Sequence, residues 1–387
     1  MKRSLVLLFA LGCSTSGNVI SAGHPAALHV SERAARVYAD AIVIDTHNDM
    51  PSKMIDDGYN PDVRHAPGFA ADQGETDLPR LVESGLTGVF LSAYVDPEKW
   101  TFRTPDQSWK QVQVYLDSIH AFVRRHPDRL VFATTAAEVR RAKAENKIAM
   151  LIGVEGGHSI ENSIDNLREL HRRGVRYMTL TWNNGTEWAG AAAGLNGTRS
   201  GGLTDRGREI VREMNRLGML VDISHVSDAT FFDAIATTSM PVIASHSSAR
   251  ALNGHRRNMS DDQLRAVARN GGVVNVNFYS VFIDSAFMRQ ADALAGDDAA
   301  IRALPRPSLA TLLDHFEHII RVAGIDHVGL GSDFDGVGGL LPQGMDDVTR
   351  LPLIAQGLLD RGYSESDVKK VLGGNMLRVM ERAIDRK

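Results

Sequence analysis

The sequence predicts a (β/α)8 barrel, an α/β fold whose eight parallel strands all end at one rim. Three observations predict it. After about residue 30, eight short apolar runs recur, too continuous for strands with one face in water. Segments with helical spacing lie between most of them. The first run leads into Asp45-Thr46-His47-Asn48-Asp49 with no G-x-G-x-x-G turn, which disfavours the alternative of a doubly wound nucleotide-binding sheet.

In chain order the runs are Ala41–Asp45, Thr87–Tyr94, Ile148–Val154, Arg176–Thr181, Met219–Ile223, Val242–Ser245, Gly272–Asn277 and His327–Gly331. The clearest helical segments are Asn162–Arg173, Asp205–Leu217, Asp228–Thr237 and Ser260–Asn270. Several open on Ser or Asp, which cap free backbone N–H groups. Gly174, Gly218 and Gly271 stand where helices should stop. Gly190–Gly202 is rich in glycine and follows the fourth run, so it reads either as a rim loop of the site or as a plain surface loop.

Ahead of the barrel, Lys2 and Arg3 precede the apolar stretch Leu5–Leu11, and Ile20-Ser21-Ala22 offers a small-residue cleavage site. Residues 1–22 therefore read as a signal peptide and 23–387 as one domain, exported to a periplasm or secreted. The apolar stretch is too short to span a bilayer as a helix. Ala10-Leu11-Gly12-Cys13 loosely resembles a lipoprotein box, which makes Cys13 a candidate lipid anchor.

Of the 387 residues, 43% are hydrophobic and 23% charged, enough for a large core. The net charge of −4 gives no general basic surface and argues against a nucleic-acid partner. Cys13 is the sole cysteine, which excludes intrachain disulfides and Cys-rich zinc sites. Any metal must be held by carboxylates and by some of the 14 histidines.

Such residues gather at the predicted strand ends. His47 and Asp49 follow the first run, Glu155 the third, His225 the fifth, His246 the sixth and Asp333 the eighth. Singly, each has a milder reading as a loop histidine, helix cap or turn carboxylate. Together on one rim, uncompensated carboxylates would repel one another, and a cation removes the conflict. Imidazole plus carboxylate without thiolate suits Zn2+, with other divalent transition metals as alternatives. Three histidines and three acids exceed one open tetrahedral site. They fit two ions with a bridging carboxylate, able to generate hydroxide and polarise a carbonyl.

These residues resemble the membrane dipeptidase (renal dipeptidase) family of the amidohydrolase superfamily. The matching stretches are Ile44-Asp45-Thr46-His47-Asn48-Asp49, Gly153-Val154-Glu155-Gly156-Gly157-His158, Val221-Asp222-Ile223-Ser224-His225, Ser245-His246-Ser247-Ser248-Ala249-Arg250, Arg256-Arg257-Asn258 and Val328-Gly329-Leu330-Gly331-Ser332-Asp333-Phe334-Asp335-Gly336. The resemblance implies that His47 and Asp49 bind one Zn2+, that His225 and His246 bind a second, and that Glu155 bridges them. It implies Asp333 as proton shuttle for a metal-bridging hydroxide, and Arg257 as partner of a dipeptide's C-terminal carboxylate. Taken alone, Arg257 reads as a surface arginine beside Arg256. The resemblance also implies a homodimer.

One departure concerns substrate contact. Where family members carry a histidine after the fourth strand, this chain has Thr179-Leu180-Thr181-Trp182-Asn183-Asn184. The Trp182 indole N–H can donate a hydrogen bond but cannot act as an acid, and it could equally pack beneath the rim. Phe278 and Tyr279 follow the seventh run as candidate pocket residues, with core packing equally open to Phe278. Asp45, Asp222 and Asp335 read as partners that orient ligands, and His158 as a loop histidine bonded to backbone. The leading expectation is dipeptide hydrolysis. The alternatives are opening of another amide, a β-lactam or a lactone, and a non-catalytic exported binding protein.

Overall fold

Continuous apolar runs rich in Val and Ile can satisfy their backbone only by pairing inside a sheet. The computed structural model describes residues 29–97, 107–193 and 201–385 and shows that pairing. The strands are β1 (Ile44–Asn48), β2 (Gly88–Tyr94), β3 (Leu130–Phe132), β4 (Ile148–Glu155), β5 (Val175–Thr179), β6 (Leu220–Asp222), β7 (Ile243–Ala244), β8 (Val273–Val276) and β9 (Val328–Leu330). All pair in parallel. The order β1-β2-β4-β5-β6-β7-β8-β9 returns to β1 through Asp45 opposite Leu330, closing an eight-stranded barrel ringed by helices. The additional strand β3 pairs with the first half of β4, and β5 pairs with the second half.

Strand alternation separates two apolar layers. Ala149 and Leu151 of β4 face the barrel interior with Ile44, Phe90, Tyr177, Leu220, Ile243 and Val273. Met376, Leu377 and Met380 of helix Asn375–Ala383 pack onto this interior layer. Met150, Ile152 and Val154 point outward to a second layer with Val112, Leu116 and Ile119 of helix Gln107–Arg125. Full burial of each such side chain contributes about 1.5–3 kcal/mol.

Helices Asp205–Leu217 and Asp228–Thr237 span the expected residues, capped by Thr204 and Ser227. The other two are trimmed at their ends, to Ile164–Arg172 and Asp261–Asn270. Ser260 caps the latter in a reciprocal box with Gln263. Gly218 and Gly271 end their helices in the left-handed conformation. The first strand corrects the reading: it spans Ile44–Asn48 and not Ala41–Asp45, because the polar end of an inward-facing strand continues to pair, with Asn48 opposite Leu91. The proposed signal peptide 1–22, Cys13 and residues 194–200 of the glycine-rich loop lie outside the described residues. Among the described residues, no helix is long and apolar enough to cross a membrane.

Candidate metal centre

The strand ends bring the six rim residues together. His47 lies within β1 and Asp49 just beyond it, while Glu155 is the last residue of β4. His225, His246 and Asp333 follow β6, β7 and β9. All six are buried. Glu155 is central: its Oε1 lies 2.8 Å from His225 Nε2 and 3.5 Å from His246 Nε2, and its Oε2 lies 3.6 Å from His47 Nε2. His47 Nε2 is also 3.3 Å from Asp49 Oδ2. Two sets of ligand atoms fall within 4.8 Å of one another, His47–Glu155–His246 and His47–Asp49–Asp333.

Hydrogen bonds on the far side of each ring decide which nitrogen faces inward. The Tyr177 hydroxyl donates to Thr46 O (3.1 Å), so at 2.9 Å it can only accept from His47 Nδ1–H. Tyr177 reaches this far because its ring lies over Gly153, where any side chain would collide with it. The Ser245 hydroxyl donates to Asp222 Oδ2 (2.6 Å) and accepts from His246 Nδ1–H (2.8 Å). Asn183 Oδ1 accepts from His225 Nδ1–H at 3.1 Å. All three Nε2 atoms therefore converge on Glu155, those of His225 and His246 as lone pairs.

Those two lone pairs, on His225 and His246, meet at 2.9 Å with no proton between them. Buried His47 Nε2 and Asp49 Oδ1 have no hydrogen-bond partner. A cation resolves both conflicts, so the donor set fits bound metal. The field agrees. Burial opposes charge on His47, yet Tyr177, Asp49 and Glu155 hold its pKa well above that of free imidazole. Burial would raise the Glu155 carboxyl, but the charge on His47 beside it holds it well below the usual range. Burial, with Arg257 beside it, pushes His225 down to about 3 and keeps it neutral.

Asp333 sits across from these histidines. Asn277 Nδ2 donates to its Oδ2 at 2.8 Å. Burial, with Asp49 and Glu155 adding repulsion, holds its pKa well above the carboxylate range. His225 and Asp333 both adopt left-handed backbone conformations (φ +65° and +64°), which non-glycine residues hold only where the surroundings enforce them. Gly336 is sterically required here: a side chain on it would strike the carboxylates of Asp49 and Asp333.

Above the centre opens a cavity of about 640 Å³. Asp49, Glu155, Trp182, His225, Arg257, Tyr279 and Asp333 line it, while His47 and His246 lie buried beneath. Arg257 is no surface residue: it is 5% exposed, and burial lowers its pKa to about 10. Its Nη2 donates to His246 O at 3.4 Å, its Nε has no partner, and its guanidinium lies 5.4 Å from the Phe282 ring centre. The Trp182 ring packs 5.0 Å from that of Tyr94.

A family model described as membrane dipeptidase (peptidase family M19) matches residues 31–387. Dipeptidase verJ of Clonostachys rogersoniana is 38% identical over 362 residues, covering 90% of this chain and 86% of that protein. The chain belongs to the membrane dipeptidase family. It is thereby a dipeptide hydrolase of the metallopeptidase kind. A metallopeptidase from Rhodobacter sphaeroides, crystallised with a phosphinate mimic of the dipeptide L-Ala-D-Ala, superposes with a TM-score of 0.74. It is 28% identical, over 89% of this chain and all of that one. The probable dipeptidase PvdM of Pseudomonas aeruginosa shares the fold, with a TM-score of 0.78 at 23% identity over 92% and 98% of the two chains.

The milder candidates separate cleanly. Phe278 is wholly buried against Phe316 and Phe334 and belongs to the core, while Tyr279 lines the cavity. His158 Nε2 donates to Val95 O (2.8 Å). Asp222 acts on His246 through Ser245, whereas Asp45 binds Ser332 N and Oγ and so ties β1 to the segment after β9. Asp335 does not face a histidine: it exchanges backbone N–H bonds with Glu75, each 2.7 Å. Sequence reasoning missed Tyr177, Asn183 as a partner of His225, Ser245 and Asn277. Asn183 and Asn277 stand at strand ends, the signal that found the histidines; Tyr177 is an inward strand residue without one.

Proposed function

We propose that this enzyme hydrolyses dipeptides with two Zn2+ ions held by His47, Asp49, Glu155, His225 and His246. One observation carries the proposal. Three histidines with committed Nδ1–H groups aim Nε2 at one carboxylate, under a cavity that also holds a buried arginine and a protonatable aspartate. The donor set lacks thiolate, which suits zinc. Divalent cations bound there would polarise the scissile carbonyl and lower the pKa of water.

The chain's own residues supply the rest. Arg257 grips the C-terminal carboxylate through its guanidinium, which distinguishes a dipeptide from an internal peptide bond. Its burial strengthens that pairing by excluding water. Asp333 takes a proton from the attacking water on Oδ1 while Asn277 holds Oδ2. It then delivers that proton to the leaving amine as the C–N bond breaks. Trp182 stands where the resemblance places a histidine, and its indole N–H and the Asn183 amide are the donors nearest that place in sequence. We further propose export, with residues 1–22 as the signal; the mass of the mature protein tests it.

The test is amino-acid release from a panel of dipeptides, including L-D pairs, by zinc-loaded protein beside Glu155→Ala. Zinc-dependent release that is lost with Glu155→Ala is the expected result. Full activity in that variant overturns the mechanism. Folded, zinc-loaded wild type that cleaves lactones or β-lactams but no dipeptide would instead favour the second reading, which Trp182 supports.

A further inference from the structure

The cavity is chemically divided. Asp49, Glu155, His225 and Asp333 line it over the metal centre, and Phe69, Val281, Ile301, Val337 and Leu340 form an apolar stretch of the lining beside the charged Asp292, Asp298 and Arg302. Part of this stretch rests on a separate small cluster centred on Val281, Phe287 and Ala291, with Ile301 and Leu340 packed against it. That cluster is distinct from both layers of the barrel. Phe69 remains 47% exposed although it is aromatic. It is held in place: the Arg302 guanidinium lies 4.3 Å from its ring centre, and Arg302 is fixed by Asp298 (3.7 Å) and by Gly338 O (3.5 Å). An ordered, half-exposed aromatic beside a reaction centre offers a surface for an apolar ligand group.

The circular order of the strands says which part of a substrate would reach it. Arg257 stands in the segment after β7, and Asp333 follows β9. The residue whose carboxylate meets Arg257 and whose amine meets Asp333 spans the ground between them, over the segment after β8. Val281 stands in that segment, and Val337 and Leu340 follow Asp333 directly. The other residue of the dipeptide lies toward Asp49, Tyr94 and Trp182, at the ends of β1, β2 and β5; Phe69 also belongs to the segment after β1, but it packs across against Arg302 and beside Gly338. We infer that the apolar stretch of the cavity, with Phe69 and Ile301 at its mouth, is a subsite for the side chain of the leaving residue. The substrate class is thus dipeptides with a large apolar residue at the C-terminal position. This rests on the dipeptidase reading and on Arg257 as the carboxylate partner.

The experiment compares kcat/KM of the zinc-loaded full chain for Ala-Ala, Ala-Phe and Phe-Ala, with the C-terminal residue in each configuration. Ala-Phe should exceed Ala-Ala about tenfold or more in its better configuration, with Phe-Ala within about threefold of Ala-Ala. F69A and I301D should each cut the Ala-Phe advantage at least about threefold, and F69A, at an exposed position, keeps the test valid if I301D fails to fold. Equal rates for Ala-Phe and Ala-Ala, an advantage for Phe-Ala instead, or an advantage untouched by F69A overturn the inference while leaving the dipeptidase reading intact. Cleavage of none of the three overturns that reading, and the inference with it.

Discussion

Ser245 carries no charge and lies behind His246, away from the cavity, yet its hydroxyl fixes which nitrogen of His246 faces Glu155. The Asp222 carboxylate holds that hydroxyl, accepting also from Thr179 Oγ1 and from two backbone N–H groups. S245A should therefore lower zinc affinity or turnover about 10–100-fold without unfolding the chain, as metal titration and single-substrate kinetics would show. Y177F frees Nδ1 of His47 in the same way and should cost a similar factor. Residues of this kind were the least legible in the sequence. His47, Glu155 and His246 declare themselves by standing at the ends of apolar runs. A hydroxyl on an adjoining buried strand has no spacing to betray that it is aimed at one of them. Arg257 was legible only by resemblance, because nothing in its local sequence announces its burial.

At the scale of elements, the segment that carries Arg257 is bolted to the one-turn helix Ser280–Ile283. So short a helix leaves its carbonyls without helical partners. Asn253 donates to Val281 O (2.8 Å), Asn258 to Phe282 O (2.7 Å) and His315 Nε2 to Ile283 O (3.0 Å). Within the Arg257 segment, His255 Nδ1 accepts the Arg257 backbone N–H at 3.2 Å. N258A removes the donor to two carbonyls, Phe282 O and the buried Asn253 O (2.9 Å), a cost of about 1–3 kcal/mol. Because it loosens the arginine but not the metal ligands, KM should rise about tenfold with kcat little changed. Initial-rate kinetics on a single dipeptide would show the split, and an unchanged KM would refute it. Elements themselves were mostly legible, since helix caps and apolar runs are local signals. β3 was not: it pairs with β4 alone and stands outside the closed eight-strand barrel, so the alternation of strands and helices does not call for it.

For the molecule as a whole, six buried metal-competent groups concentrate at one end of the barrel. Removing the metal would leave the carboxylates of Asp49, Glu155 and Asp333 close together without a cation between them. Chelation should lower the melting temperature, and zinc should restore it in a concentration-dependent way. Acid acts through different groups. Burial pushes His315 and His255 down to about 4, so both stay neutral in the folded state. Below pH 6.5 the unfolded chain takes up protons that the folded chain refuses until about pH 4. Stability is therefore fully present above that window and falls as the pH drops through it. For His315 the loss is at most about 3 kcal/mol. Calorimetry from pH 7 to pH 4 should show the decline, and H315Q should flatten it.

The seam between β1 and β9 has a consequence for biosynthesis. Asp45 and His47 bond to the segment that carries Ser332 and Asp333, so the first and last walls of the barrel complete each other. A nascent chain that has emerged only as far as β8 has its histidines but neither the closing strand nor Asp333. If Asp333 moves the proton as proposed, such a chain could not cut peptides, whatever metal it meets. The order of translation would thereby act as a safety catch, released only once β9 and the segment after it have been made.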